Sequence, residues 1–225
     1  MFNVYELKIS MKHLISIVTA IFITTVFFAC DAQSQKKNDV RKITLRAPTG
    51  KAIAAFASGC FWCTEHIFEA VAGVDSAVSG YAGGTKPNPY YELVNTETTG
   101  HAESVMVYYD PKIVTYAELA KVFFASHDPT TPDQQGPDKG SSYRSILFYS
   151  SPAEKAAGQQ SIRNLTKSGR FKNPIVTELK PLNEFYRAES YHQQYIDRHP
   201  NDPYVRSVSM PRFELFKKTY KGKFK

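Results

Sequence analysis

Cys60 and Cys63 stand two residues apart in GCFWCTEHIFEA (59–70), with Phe61 and Trp62 between them. Two thiols at that spacing can do several kinds of chemistry. With further ligands they hold zinc, and His66 extends the run to C-x-x-C-x-x-H. Closed on each other they form a structural disulfide, although so short a loop adds little stability. Kept reduced, they make a nucleophile whose oxidised sulfur a neighbouring thiol can resolve. Strand–C-x-x-C–helix is also the pattern of a thioredoxin-type oxidoreductase. The apolar run IAAFAS (53–58), ending at Gly59, reads as a buried strand, and residues 61–71 carry helical spacing. Cys60 therefore falls at the first turn of a helix, where unpaired N–H groups and the helix dipole are expected to lower its pKa.

The elements around this pair follow from periodicity and breakers. Residues 74–84 read as a strand closing in a glycine turn, and 85–92 as a loop. In 101–110, Ala102, Ser104, Met106 and Tyr108 alternate with Glu103, Val105, Val107 and Tyr109, a strand stopped by Pro111. Thr115 with Glu118 three residues on makes a capping box for a helix over 116–127. A loop at 128–143 precedes a strand at 145–150, a helix at 151–169 and a strand at 175–181. That loop is long enough to imply a functional reason for it. The order through residue 150 is β-α-β-β-α-β, which predicts an α+β two-layer sandwich with a ferredoxin-like core and long functional loops.

Composition bounds the rest. The chain has 225 residues, enough for one sizeable domain with appendages, and a net charge of +7. Residues 36–46 carry +4 and 206–225 carry +6, while 1–35 are neutral, leaving 47–205 at −3. A basic face for nucleic acid is not expected on a domain of that charge. Lys12 and His13 precede an apolar run at 14–29 and Cys30, a basic n-region and an h-region short for a membrane span. FFAC (27–30) resembles the lipobox of bacterial lipoproteins, which implies lipidation at Cys30 and translation from Met11; an uncleaved membrane anchor is the alternative. Either places the domain outside the cytoplasm, tethered to a membrane on its periplasmic side. The expected organisation is a signal at 1–30, a tether at 31–46, a catalytic domain at 47–205 and a basic tail at 206–225. Phe213, Leu215 and Phe216 suggest that the tail docks partly on the domain.

GCFW (59–62), GYAGG (80–84), NPYY (88–91), TGHAE (99–103), YDP (109–111), HDPT (127–130), QGPDKGSSYRS (135–145) and AESYHQQY (188–195) together resemble peptide-methionine (S)-S-oxide reductase, the A-type enzyme. The likeness spans about residues 50–205. It implies that Cys60 attacks the sulfoxide sulfur and Glu103 supplies a proton to the oxygen. It places Tyr91, Tyr143 and Asp138 around that oxygen, and Phe61 and Trp62 at an apolar pocket for the methyl group. Many members carry glycine at the place of Cys63 and resolving cysteines near the C-terminus, where this chain has none. Cys63 is therefore expected to resolve the Cys60 sulfenic acid, giving a disulfide that a thioredoxin-like partner reduces. The substrate is oxidised methionine in proteins or peptides, and no cofactor or metal is required. GYAGG is too short for a dinucleotide fingerprint. Read from the residues alone, Phe61 and Trp62 fit a core equally well, and Glu103 fits an exposed strand end. His101 fits a capping role, and His192 and His199, two turns apart on one helical face, fit structural hydrogen bonds. A general thiol–disulfide oxidoreductase and a lipoprotein that binds oxidised peptides without turnover remain rival functions.

Overall fold

The computed structural model describes residues 39–225, of which 40–225 form one compact unit. The expected signal, Met11 start and lipidation at Cys30 lie outside the described residues. Among those described, no helix is long and apolar enough to cross a membrane.

A seven-stranded mixed sheet organises the unit. In chain order its strands are β1 (Arg41–Lys42), β2 (Ala52–Ser58), β3 (Val74–Ala82), β4 (Ala102–Tyr109), β7 (Ser145–Tyr149), β8 (Glu178–Pro181) and β9 (Phe185–Arg187). The spatial order is β1-β9-β3-β4-β2-β7-β8. All pairs are antiparallel except β7 with β8. A two-stranded ribbon, β5 (Gln134–Gln135) with β6 (Asp138–Lys139), lies inside the long loop.

The helices are α1 (Phe61–Glu69), α2 (Tyr91–Val94), α3 (Tyr116–Ala125), α4 (Pro152–Lys167), α5 (Tyr195–Arg198) and α6 (Met210–Thr219). Two of them start where their caps dictate. The Thr115 side chain accepts from Glu118 N at α3, and Ser151 from Glu154 N at α4, with Pro152 at the first helical position. Alternation along the central strands feeds two cores, because both sheet faces are covered. Ala54, Phe56, Val105 and Val107 pack with Phe61, Ile67, Phe68, Leu119 and Phe123. Ala55, Ala57, Ala102 and Met106 pack on the opposite side with Ile146, Phe148, Leu182 and Phe185.

Three boundaries differ from expectation. The expected tether enters the fold: Arg41–Lys42 pair with β9, and Ile43 and Leu45, alternating like a strand, pack on the second core. The expected strand at 175–181 shortens to Glu178–Pro181; just before it, Val176 N donates to Pro129 O in the long loop. The expected basic tail is structural. Residues Val205–Ser209 form a π-helix that runs into α6, and Phe216 and Tyr220 are buried in the first core.

Candidate active site

Cys60 sits at the N-cap of α1, where β2 ends and the chain turns through Gly59. Gly59 adopts φ +80°, and a Cβ there would lie 2.4 Å from Gln135 Cβ, so the turn demands glycine. Thr64 locks the turn from inside, donating through Oγ1 to Cys60 O at 3.1 Å and lying 2.9 Å from Ser58 Oγ.

Both cysteines are free thiols, and both are buried. The two thiols shift each other's pKa in opposite directions. Burial pushes the Cys60 thiol well up, and the neighbouring Cys63 and Glu103 push the same way; the Cys63 backbone N–H opposes them. The Cys63 thiol is brought down to about 6 by its bond from Cys60, against burial and with help from Arg212 and Ser209. Cys63 Sγ lies 3.2 Å from Ser209 Oγ. The expectation that helix position lowers the Cys60 pKa is thus corrected. Desolvation outweighs the N–H groups at Cys60.

Glu103 lies on the helix-facing side of β4, with Val105 and Val107, and is 2 % exposed. It is not a solvated strand end. Its Oε2 accepts from Phe61 N at 2.9 Å, which ties the carboxyl to the first turn of α1. Burial pushes its pKa up to about 8, opposed by that N–H and reinforced by the charges of Asp138 and Cys63. At neutral pH Glu103 therefore holds its proton.

Cys60, Phe61, Trp62, Tyr91, Glu103, Asp138 and Tyr143 share the walls of one cavity of about 350 Å³, with Asp202 and Tyr204. Phe61 is core, packed on Tyr81 and His192 with ring centroids 5.8 and 4.8 Å away. Trp62 is only half-buried. It stacks flat on Tyr195 at 3.7 Å, meets Tyr204 edge-on at 6.0 Å, and donates from Nε1 to His192 Nδ1 at 3.1 Å. Both rings wall the cavity, and Phe61 also anchors the helix in the core.

Tyr91 begins α2, and its backbone N–H donates to Glu189 Oε1 at 2.9 Å. Glu189 Oε2 accepts from Tyr81 OH at the same distance. Tyr143 ends the 3₁₀ turn Ser141–Tyr143, and Asp138 Oδ2 accepts from Tyr204 OH at 2.6 Å. Burial raises the pKa of both Tyr91 and Tyr143, keeping them as hydroxyl donors. Asp138 is also raised by burial, against the Tyr204 bond and the Arg212 charge.

Cys63 is the exception among the expected residues: it does not line this cavity, although it touches Cys60. The sequence reading missed Tyr204, Asp202, Glu189, Ser209 and Arg212. Their signal is weak, because they lie more than 120 residues from the cysteines and meet them only through folding. His192 does make a structural hydrogen bond, but it shares no helix with His199. Gln194 between them sits at φ +50° and breaks the chain direction. His101 braces the 84–86 turn: Gly84 N donates to its Nδ1 at 3.3 Å, and Nε2 lies 2.8 Å from Lys86 O. His66, which extends the cysteine spacing, pairs with Asp197 and packs on Phe213. Among the described residues, no group of three or more His, Cys, Asp and Glu is placed to hold a metal.

The family profile of peptide methionine sulfoxide reductase matches residues 52–224. The peptide methionine sulfoxide reductase MsrA of Sulfolobus acidocaldarius is 46% identical over 171 residues, covering 76% of this chain and 96% of that protein. That of Methanosarcina mazei is 54% identical over 145 residues, covering 64% and 69%. Among solved structures, reduced Mxr1 from Saccharomyces cerevisiae superposes with a TM-score of 0.65 at 36% identity, over 71% of this chain and 94% of the other. Methionine sulfoxide reductase A of Corynebacterium diphtheriae gives 0.62 at 35%, over 71% and 80%. The chain belongs to the peptide methionine sulfoxide reductase family.

Proposed function

We propose that this chain reduces the S epimer of methionine sulfoxide, in proteins and as the free amino acid, with Cys60 as nucleophile. One observation carries the proposal. A buried thiol, a carboxyl protonated at neutral pH, two tyrosine hydroxyls and an apolar indole face meet in one small cavity. A sulfoxide has a polar oxygen and an apolar methyl group, and this cavity offers a partner for each. Trp62 and Phe61 hold the methyl group. Tyr91 and Tyr143 donate to the oxygen, while Asp138, held by Tyr204, orients the polar side.

Cys60 attacks the sulfoxide sulfur as its own proton passes to the Cys63 thiolate. Glu103 protonates the sulfoxide oxygen, the S–O bond breaks, and the released hydroxide bonds to the Cys60 sulfur as the new Cys60–methionine sulfur bond breaks, so that methionine leaves and Cys60 is a sulfenic acid. Cys63 then attacks the Cys60 sulfur and water departs, leaving the Cys60–Cys63 disulfide. A thioredoxin-like dithiol protein returns the two electrons. We read β2-α1-β3-β4-α3-β7 as a ferredoxin-like core, a reading supported by the antiparallel order β3-β4-β2-β7. We further propose that residues 1–30 direct a membrane-anchored, extracytoplasmic protein lipidated at Cys30. Fatty-acid labelling that persists in Cys30→Ser overturns that assignment.

The test uses pre-reduced chain and resolved epimers of a methionine sulfoxide peptide. Loss of the S epimer alone, abolished by Cys60→Ser, is the expected result. Cys63→Ser is expected to reduce one equivalent more slowly and then stop with thioredoxin as sole reductant. Sustained turnover by Cys63→Ser refutes the resolving role, and equal loss of both epimers refutes the stereochemistry.

A further inference from the structure

Glu65 lies on α1, three residues after Trp62, and is 2 % exposed. It does not line the substrate cavity, and no step of the sulfoxide reaction uses its carboxyl. Its Oε2 accepts from Ser79 Oγ and from the backbone N–H of Gln194, each at 3.0 Å, while Oε1 has no hydrogen-bond partner. Burial pushes its pKa up to about 7, opposed by those two bonds. A buried oxygen without a partner destabilises a core, so packing alone does not account for a carboxyl here.

The bond to Gln194 falls at a strained point of the chain. Gln194 holds φ +50° and ψ +38°, the left-handed region that residues with a Cβ avoid, and its own side chain is exposed. Before it, Gln193 is clamped to β3, accepting at Oε1 from Ser79 N at 3.1 Å and donating from Nε2 to Ser79 O at 3.0 Å. After it, Tyr195 stacks on Trp62 with 7° between the rings, and its hydroxyl donates to Asp202 Oδ2 at 3.1 Å. Trp62 lines the cavity and Tyr195 does not, so the tyrosine backs the indole. The left-handed turn thus stands between a clamp on the sheet and the ring that supports Trp62. Glu65 ties that turn to the helix bearing Trp62.

We propose that Glu65 is a positioning residue for sulfoxide reduction: by holding Gln194 N in the left-handed turn it keeps Tyr195 against Trp62, and so fixes the indole that receives the methyl group. The inference rests on Trp62 being part of the methyl pocket. No bond to the methyl group changes in the reaction, so the indole holds ground state and transition state alike. Losing its position therefore weakens binding and spares the chemical step.

Reduced full-length chain is mixed in single turnover with an S-sulfoxide peptide, and the half-saturating concentration and limiting rate are read separately. Glu65→Leu is expected to raise the first by about tenfold or more and to change the second by less than about threefold. Trp62 is the only tryptophan in the chain, so fluorescence reports its setting directly. Its emission is expected to move to longer wavelength in Glu65→Leu and in Tyr195→Leu. The double variant is expected to bind no more weakly than Tyr195→Leu alone, because both act through one stack. Glu65→Gln keeps an oxygen for both bonds and is expected to restore emission and binding to within about threefold of the parent. Two variants at the exposed Gln194 leave the core intact should Glu65→Leu not fold. Gln194→Val, for which φ +50° is costlier, is expected to shift emission and weaken binding, and Gln194→Gly to do neither. Unchanged emission in Glu65→Leu, a slower limiting rate with normal half-saturation, additive effects in the double variant, or equal behaviour of the two Gln194 variants overturns the proposal. Emission shifts in a protein whose parent reduces neither epimer mark failure of the functional reading instead.

Discussion

Glu103 shows why burial and chemistry must be read together. A carboxyl in a dry cavity keeps its proton, and only a protonated carboxyl can hand one to the sulfoxide oxygen. Its pKa of about 8 puts the loss of the acid form just above neutrality. The single-turnover rate of the reduced enzyme is therefore expected to fall as pH rises through about 8. Glu103→Gln should lose that limb and be slower by about 10²–10⁴-fold, measured by quenched-flow on the S-sulfoxide peptide. The same shift affects stability, with a definite sign. The folded group holds its proton above the pH at which the unfolded group releases it. Its contribution is fully present below about 4.5 and is lost as pH rises towards 8. Glutamine does not titrate, so Glu103→Gln should gain on the parent between pH 5 and 8, by up to about 4 kcal/mol in urea unfolding. A pH-independent difference between the two proteins refutes the buried acid. The motif TGHAE pointed to this residue, but alternation alone only put Glu103 on the face of Val105 and Val107; the depth of that face is a property of the packed helices.

At the scale of elements, the site depends on a loop that is held from a distance. Asp138 and Tyr143 belong to the stretch 128–143, which contains only a short two-stranded ribbon and a 3₁₀ turn. Glu97 pins it. That carboxylate accepts from Ser142 N at 2.9 Å, Ser142 Oγ at 2.8 Å and Ser141 Oγ. Gly140 makes the approach feasible: its φ is +127°, and a Cβ there would lie 2.3 Å from Glu97 Oε1. Gly140→Ala should therefore disturb Asp138 on one side and Tyr143 on the other while the sheet survives. The expected result is kcat/KM lower by about 10–100-fold with a Tm shift of only a few degrees. A normal kcat/KM in that variant means the loop is not the positioning element. Here the limit of sequence reading is physical. Strands and helices announce themselves by periods of 2 and 3.6, and β2, β3, β4, β7, α3 and α4 all fall within a few residues of expectation. A bond from residue 97 to 142, or from 138 to 204, leaves no period. The chemistry at 60–63 was legible because its residues are adjacent, whereas Tyr204 and Arg212 become neighbours of the cysteines only through folding.

The described unit is closed by its basic C-terminal segment. Residues 206–225 carry +6, yet Phe213, Leu215 and Phe216 suggest partial docking; the stripe that docks is Phe213, Phe216 and Tyr220. In the fold that stripe faces inward, with Phe216 fully buried and stacked on Tyr220 at 5.3 Å, while Leu215 points out. Tyr220 OH donates to Glu118 Oε1 at 3.2 Å, and Lys225 N to Ala70 O at 3.0 Å, so the chain end straps α3 and the end of α1. Arg212 ties the ends of β2 and α3 together beside the cysteine turn. The family match running to residue 224 fits a domain that includes this segment. Truncating one ring tests the point. Phe216→Ala leaves a cavity in the core that also seats Phe61, and losses of about 3–5 kcal/mol are usual for such a change. Against the marginal stability of a single domain, a loss of that size is a large fraction of the total. Urea unfolding of Phe216→Ala should therefore show a stability loss of that size, and removal of 206–225 should leave no cooperative transition. If the truncated chain unfolds like the parent, the segment is a tail after all, and the setting of Cys63 beside Ser209 and Arg212 must be maintained by some other part of the fold.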